Sequence, residues 1–278
     1  MAATNPLTDV RGPVSNEEFA ERAKPLSDAL ASVVIEARGD RADLNIQGAN
    51  SPAMADYAAQ PMFPDSEEGA IDVVRTLSGL GLLAAEDHIL AARTLIDQTT
   101  ETFVWSVPVL GRAALESLGQ VGHLTELRIS TTLRAGRAMN ELIYSAQNIR
   151  RLPQPLQTQG SDPAHRDVQA LSMGLTRVVT RKGKPTEWFE ERRPSNTELV
   201  AGLFPDGHLG ATIYNYWSAV AHASSWGLTQ TLGEPSDHPS GFGFVAPIVS
   251  SLHTLLNTAL LLVLAHLEAM EHLSLIHI

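Results

Sequence analysis

The amino-acid sequence reads as a mainly α-helical, all-α protein: a multi-helix bundle with one small β-hairpin near 176–189. Three features lead there. Apolar residues recur at helical spacing over most of the chain. Ala and Leu dominate a 44% hydrophobic fraction in which aromatics are scarce, at 5% of the chain, and this suits helix-on-helix packing better than a β-sandwich. One β-branched run, Thr176 to Thr180, meets a Lys182-Gly183-Lys184 turn and could return through Thr186 to Phe189.

The elements follow in order. Ser15 and Glu18 form a capping box ahead of Phe19, Leu26, Leu30, Val33 and Val34, predicting a helix over 15–38. Residues 39–65 hold Gly39, Gly48, Pro52, Pro61 and Pro64 without a sustained period and read as a long irregular connection. Residues 1–65 are therefore expected to be an N-terminal helix and linker, with a bundle domain over 66–272. Ser66, Glu67 and Glu68 supply a cap and first-turn acids for a helix through Ile71, Val74, Leu77 and onward to Ile96, with Gly79 and Gly81 as candidate breaks. Further helices are predicted over 102–121, with Pro108 near the start, and over 123–150, ending before Pro153.

A Pro/Gln/Gly linker over 151–162 precedes a helix over 163–175 and the hairpin. A second capping box, Ser195 and Glu198, opens a short helix to Phe204. Helices over 208–232 and 243–272 complete the bundle. The stretch from Pro239 to Leu267 has no Asp, Glu, Lys or Arg and is long enough to span a bilayer. Ser250, Ser251, His253, Thr254 and Asn257 interrupt it and no Lys or Arg flanks it, so a buried helix is the preferred reading over a span at 243–267. Residues 273–278, Leu-Ser-Leu-Ile-His-Ile, read as a translated sequencing adaptor, so they are set aside as a non-native tail beyond a truncated C-terminus.

The chain is acidic, with a net charge of −11 over 278 residues, and every Lys and Arg lies before position 194. That disfavours nucleic acid as a partner. The one locally basic stretch (Arg177, Arg181, Lys182, Lys184, Arg192 and Arg193) is diluted by Glu187, Glu190 and Glu191 and reads as a solvated loop. There is no cysteine, hence no disulfide and no thiolate chemistry, and Met1 to Arg11 has no signal-peptide pattern; both point to the cytoplasm.

The most pointed candidate site is the helical run Tyr214 to Trp226, where Ser218, His222 and Ser225 fall at i, i+4 and i+7, with Tyr214 one turn earlier. A hydroxyl and an imidazole on one face are what a general base or a ligand contact needs, and Ser218 and His222 are the candidate catalytic pair. The competing reading is a Ser bonded back to its own helix and a His satisfying a buried neighbour. No Gly-x-Ser-x-Gly elbow supports a serine hydrolase. Arg112 and Glu116, also at i, i+4, can pair on a largely apolar helix, and His253 and Asn257 share a face of the last helix. Arg112, Glu116, Tyr214, Ser218, His222, His253 and Asn257 are therefore expected to line one polar pocket. No metal is expected, since Glu-x-x-His, His-Glu-x-x-His and His-x-x-x-His are absent. Nor is a nucleotide cofactor, since the glycine-rich phosphate motifs are absent.

The order of these motifs resembles a group of uncharacterised actinobacterial helical proteins. The residues that carry the likeness are Arg112 and Glu116, then Arg134, Arg137 and Asn140, then Thr197 to Leu199, then the Tyr-x-x-x-Ser-x-x-x-His run of Tyr214, Ser218 and His222. In that group Gly usually follows the His, where Ala223 stands here. The likeness covers roughly residues 66–270 and implies no activity. More distantly, the chain is similar to HEPN helical domains, many of which are metal-independent RNases whose chemistry uses an Arg, then four to six residues, then a His. No His here has an Arg at that spacing. Two functions follow as expectations: a non-catalytic protein whose polar pocket binds a small ligand or a partner protein, or a metal-independent RNase-like or other hydrolytic enzyme with His222 as general acid/base. A homo-oligomer is compatible with either.

Overall fold

The computed structural model describes residue 21 and residues 24–35, 52–64, 66–98, 106–153, 162–222 and 258–267. Among these lie nine helical segments and one two-stranded antiparallel sheet. The helices are α1 (24–35), α2 (Pro52–Ala59), α3 (Ala70–Gln98), α4 (Ser106–Thr125), α5 (Thr131–Arg150), α6 (Pro163–Ser172), α7 (Asn196–Ala201), α8 (Gly207–Ala221) and α9 (258–267). The strands are β1 (Arg177–Val179) and β2 (Pro185–Phe189), with Arg177 opposite Phe189, Val179 opposite Pro185 and an irregularity between. The mainly α fold with one small hairpin is thus what the chain adopts.

Helix α4 is the axis of the bundle, packing against α3, α5, α7 and α8. Its buried stripe, Val107, Ala114, Leu115, Leu118 and Val121, meets Leu82, Ala85 and Ile89 of α3 and Tyr214 and Trp217 of α8 in the main core. Leu30 and Val34 of α1, and Ala259, Leu262 and Ala265 of α9, close the same core. A second apolar cluster lies where α5, α6 and the hairpin meet, around Met139, Ile143, Ala170 and Phe189.

Gly79 and Gly81 do not break α3, which runs unbroken for 29 residues. Gly81 instead gives α4 a close approach: a Cβ there would stand 2.7 Å from Val121 Cγ2. Gly136 of α5 has the same use, since a Cβ would stand 2.7 Å from the Glu190 side chain and 3.1 Å from the Phe189 carbonyl oxygen.

Several boundaries differ from the expectation. The connection read over 39–65 contains α2, whose two turns are too short to register as a period and which Asp56 pins to Arg134 and Thr131 of α5. Helix α3 starts at Ala70, not at Ser66. The Ser66 hydroxyl accepts the Glu68 N–H inside a tight turn, and Asp72 takes the Gly69 N–H. The break expected after 121 falls at 126–130, where Arg128 has φ +68 and the Ser130 hydroxyl caps α5 by accepting from the Leu133 N–H. The Ser195–Glu198 capping box forms with both reciprocal bonds. The expected capping box at 15–18 and most of the helix expected over 243–272, including the stretch 243–257, lie outside the described residues. No helix among the described residues is long and apolar enough to cross a membrane.

Candidate functional site

Helices α4 and α8 lie side by side, which brings Arg112 and Glu116 against the end of α8. The Arg112 Nε–H donates to Glu116 Oε1 at 2.8 Å, the i, i+4 pair expected from sequence. The Tyr214 hydroxyl donates to the same oxygen at 2.6 Å, and the guanidinium lies 5.5 Å from the Tyr214 ring centroid. On its other side Arg112 Nη1 is 3.1 Å from His222 Nε2. A guanidinium can only donate, so a hydrogen bond here is accepted by His222 Nε2. Burial works against the Arg112 charge, but Glu116 and Tyr214 outweigh it and hold its pKa above the ordinary value. Burial and the bond to Glu116 push the Tyr214 hydroxyl up as well.

The structure therefore brings Arg112, Glu116, Tyr214 and His222 into one chain of contacts. Ser218 stands apart from it: half-buried, with its backbone oxygen accepting the His222 N–H at 3.0 Å where His222 caps α8. No side-chain hydrogen bond joins Ser218 to His222 among the described residues, because the imidazole turns toward α4. His253 and Asn257 lie outside the described residues.

Beside this chain is a cleft of about 650 Å³ between α3, α4, α5 and α7. Glu116 belongs to both. The other charged groups lining the cleft are Glu141 of α5 and Arg193, with His88 of α3 opposite. Arg193 Nε–H donates to Glu141 Oε1 at 2.8 Å, its Nη1 donates to the Pro194 carbonyl oxygen at 3.0 Å, and its guanidinium lies 3.9 Å from the Tyr144 ring centroid. Gln120 Nε2 donates to the second Glu141 oxygen at 3.1 Å. Burial holds the Glu141 carboxyl above the usual carboxylate range, against the pull of Arg193. Leu142, Ile149 and Leu199 supply apolar wall, and Asn148 and Asn196 supply amides.

The cleft walls rest on a buried polar layer. Asn140 Nδ2 donates to the carbonyl oxygens of Phe189 at 3.0 Å and Glu191 at 2.9 Å, and its Oδ1 accepts the Phe189 N–H at 2.8 Å. Arg137 pairs with Glu126 at 2.7 Å and with Glu191. Arg134 donates to the Leu124 and Glu126 carbonyl oxygens and pairs with Asp56 at 3.3 Å. His123 lies beneath this layer, and burial together with Arg137 and Arg193 lowers its pKa to about 3. Glu191 lies 3.5 Å from His123 Nε2 and is also paired with Arg137.

Two of these placements correct the sequence reading. Arg193, assigned to a solvated basic loop, is 9% exposed in its ion pair with Glu141. Arg177 of the same stretch pairs with Asp167 at 2.9 Å and covers the Phe189 ring. Glu141, Gln120, Tyr144, Asn148 and Asn196 were not singled out. A signal for Glu141 was present: Arg134, Arg137 and Glu141 fall on one face of a helix and are interspersed with Ala135, Gly136, Ala138 and Met139, the small or apolar neighbours of a buried surface.

Among the described residues no group of three or more His, Asp or Glu side chains is placed to hold a metal ion. Comparison with protein-family models, with curated proteins and with solved structures finds no match to this chain.

Proposed function

We propose that this is a non-catalytic binding protein of the cytoplasm whose cleft between α3, α4, α5 and α7 takes a small polar molecule. One observation carries the reading: a cavity of about 650 Å³ in which the Glu116 carboxylate is held from behind by Arg112 and Tyr214. Ligand cavities typically run from roughly 300 to 1,000 Å³ and combine apolar walls with a few fixed polar groups. Groups already ordered by their neighbours lose little entropy when a ligand docks. The test is native mass spectrometry against a defined mixture of amines, amino acids, sugars and nucleosides, with Ser117→Trp, which fills the cleft from α4, beside the wild type. A compound retained by the wild type and lost by Ser117→Trp is the expected outcome. Binding of nothing that the Trp variant loses refutes the reading.

A second reading, hydrolysis with His222 as general acid/base and Arg112 stabilising charge, is favoured by the 3.1 Å contact that joins two residues 110 positions apart. Against it, the Arg112 guanidinium is already bonded to Glu116. RNA cleavage in the presence of a chelator, abolished by His222→Ala in a folded protein, would establish it over the first. The same cleavage by both proteins, or by neither, removes it.

A further inference from the structure

The polar groups of the cleft do not favour all small molecules equally, and on the reading that it is a binding site we infer that its ligand is an organic cation: an ammonium or guanidinium group on a short apolar body, docked on Glu116. The argument is a count of open positions. The lining holds two carboxylates, Glu116 and Glu141, against one guanidinium, Arg193. Arg193 is committed: Nε–H to Glu141, Nη1 to the Pro194 carbonyl oxygen, and one face to the Tyr144 ring. Both oxygens of Glu141 are taken, by Arg193 and by Gln120.

Glu116 differs. Arg112 and Tyr214 both donate to its Oε1, leaving Oε2 without a protein donor among the described residues. Arg112 itself does not line the cleft. An incoming molecule therefore meets a carboxylate oxygen with open lone pairs, with Arg112 bonded to the opposite oxygen. Two donors fixed on Oε1 hold that carboxylate in place.

An anionic group docked there would face Glu116 across a partly desolvated space, and like charges at such range repel strongly. A neutral hydroxyl could donate to Oε2 but would gain only an ordinary hydrogen bond. An ammonium or guanidinium gains both the hydrogen bond and the charge. Asn196 offers an amide oxygen for a further donor, His88 offers a ring nitrogen, and Leu142, Ile149 and Leu199 receive the apolar part.

The experiment is isothermal calorimetry of the full chain with matched probes: phenethylamine, agmatine and spermidine as cations, 2-phenylethanol as the neutral isostere and 3-phenylpropionate as the anion. Expected are 1:1 binding of at least one cation, at least tenfold weaker binding of the alcohol, and no binding of the carboxylate. In Glu116→Gln, checked for folding by circular dichroism, the cation affinity drops at least tenfold and the preference over the alcohol disappears. The wild-type comparison of amine with alcohol needs no variant, so it decides the matter even if Glu116→Gln does not fold. If the alcohol or the carboxylate binds as well as the amines and Ser117→Trp abolishes it, the cation claim is overturned while the cleft stands as a binding site. If no probe binds, the cation claim fails; the mass-spectrometric screen then decides separately whether the cleft binds anything. A cation that binds equally to the wild type, Glu116→Gln and Ser117→Trp places binding elsewhere and overturns the claim too.

Discussion

Asn140 sets the hairpin, and its removal is the sharpest structural test. Its side chain is 1% exposed and makes three hydrogen bonds to the backbone at residues 189 and 191. Asn140→Ala removes all three, but the cost is not three equal terms. The Phe189 N–H loses a buried acceptor outright, at about 1–3 kcal/mol. The Phe189 carbonyl keeps the Glu191 N–H as a partner, and the Glu191 carbonyl is only part-buried, so water can reach it. With the small cavity left by the amide, the total comes to about 3 kcal/mol. Urea denaturation followed by circular dichroism should show that loss with an unchanged m-value. Asn140→Asp tests the polarity separately. It keeps the acceptor for the Phe189 N–H but turns an oxygen toward two carbonyls, so it should be at least as damaging at pH 7. A loss below about 1 kcal/mol in Asn140→Ala, with m unchanged, would show that the hairpin is held by its apolar contacts and not by this clamp.

Three other outcomes are expected. His123 titrates near pH 6.5 unfolded and at about 3 folded, so the unfolded state binds the extra proton between those values and stability falls as the pH drops through that window. From pH 7.5 to 5 this one group should cost roughly 2 kcal/mol, and in His123→Gln that part of the pH dependence should vanish in urea titrations; an unchanged slope would refute the buried neutral imidazole. Gly136→Ala should lose about 1–3 kcal/mol of stability by the same urea assay, because the new methyl meets Glu190 and the Phe189 carbonyl. Ser195→Ala should lose about 1 kcal/mol of cap in the same assay; the Glu198 carboxyl, held down to about 2 chiefly by the residue-195 backbone N–H, which Ala keeps, and next by the Ser195 hydroxyl, should rise only part of the way toward the ordinary range when followed by NMR.

Legibility in the sequence tracked the range of each interaction. Arg112–Glu116, the Ser195 box and the Lys182-Gly183-Lys184 turn join positions four or fewer apart, and local spacing shows them. The Tyr214 bond to Glu116 crosses 98 residues and the His222 contact 110, so spacing within a helix suggested the wrong partner for His222: Ser218, one turn back, instead of Arg112 on another helix. Helix ends were read least well where tertiary partners override local caps. The helix expected to end at 121 continues as α4 to Thr125, with Leu124 wholly buried against its neighbours. The basic stretch misled for a related reason. Charge in a sequence signals water until a matching charge appears, and Glu141 stands 52 positions before Arg193.

The bonds from α5 to the segment 189–193 also impose an order on synthesis. Arg137, Asn140 and Glu141 find partners 49 to 54 residues further along the chain. While a ribosome adds those residues, at about 5–20 per second, α5 carries polar groups made for a buried layer that does not yet exist. For roughly 3–10 s the nascent helix can pack its apolar stripe on α3 and α4 but must leave this face in water. The last half of the bundle is thus not merely added to a finished first half; its arrival is what allows α5 to be sealed in.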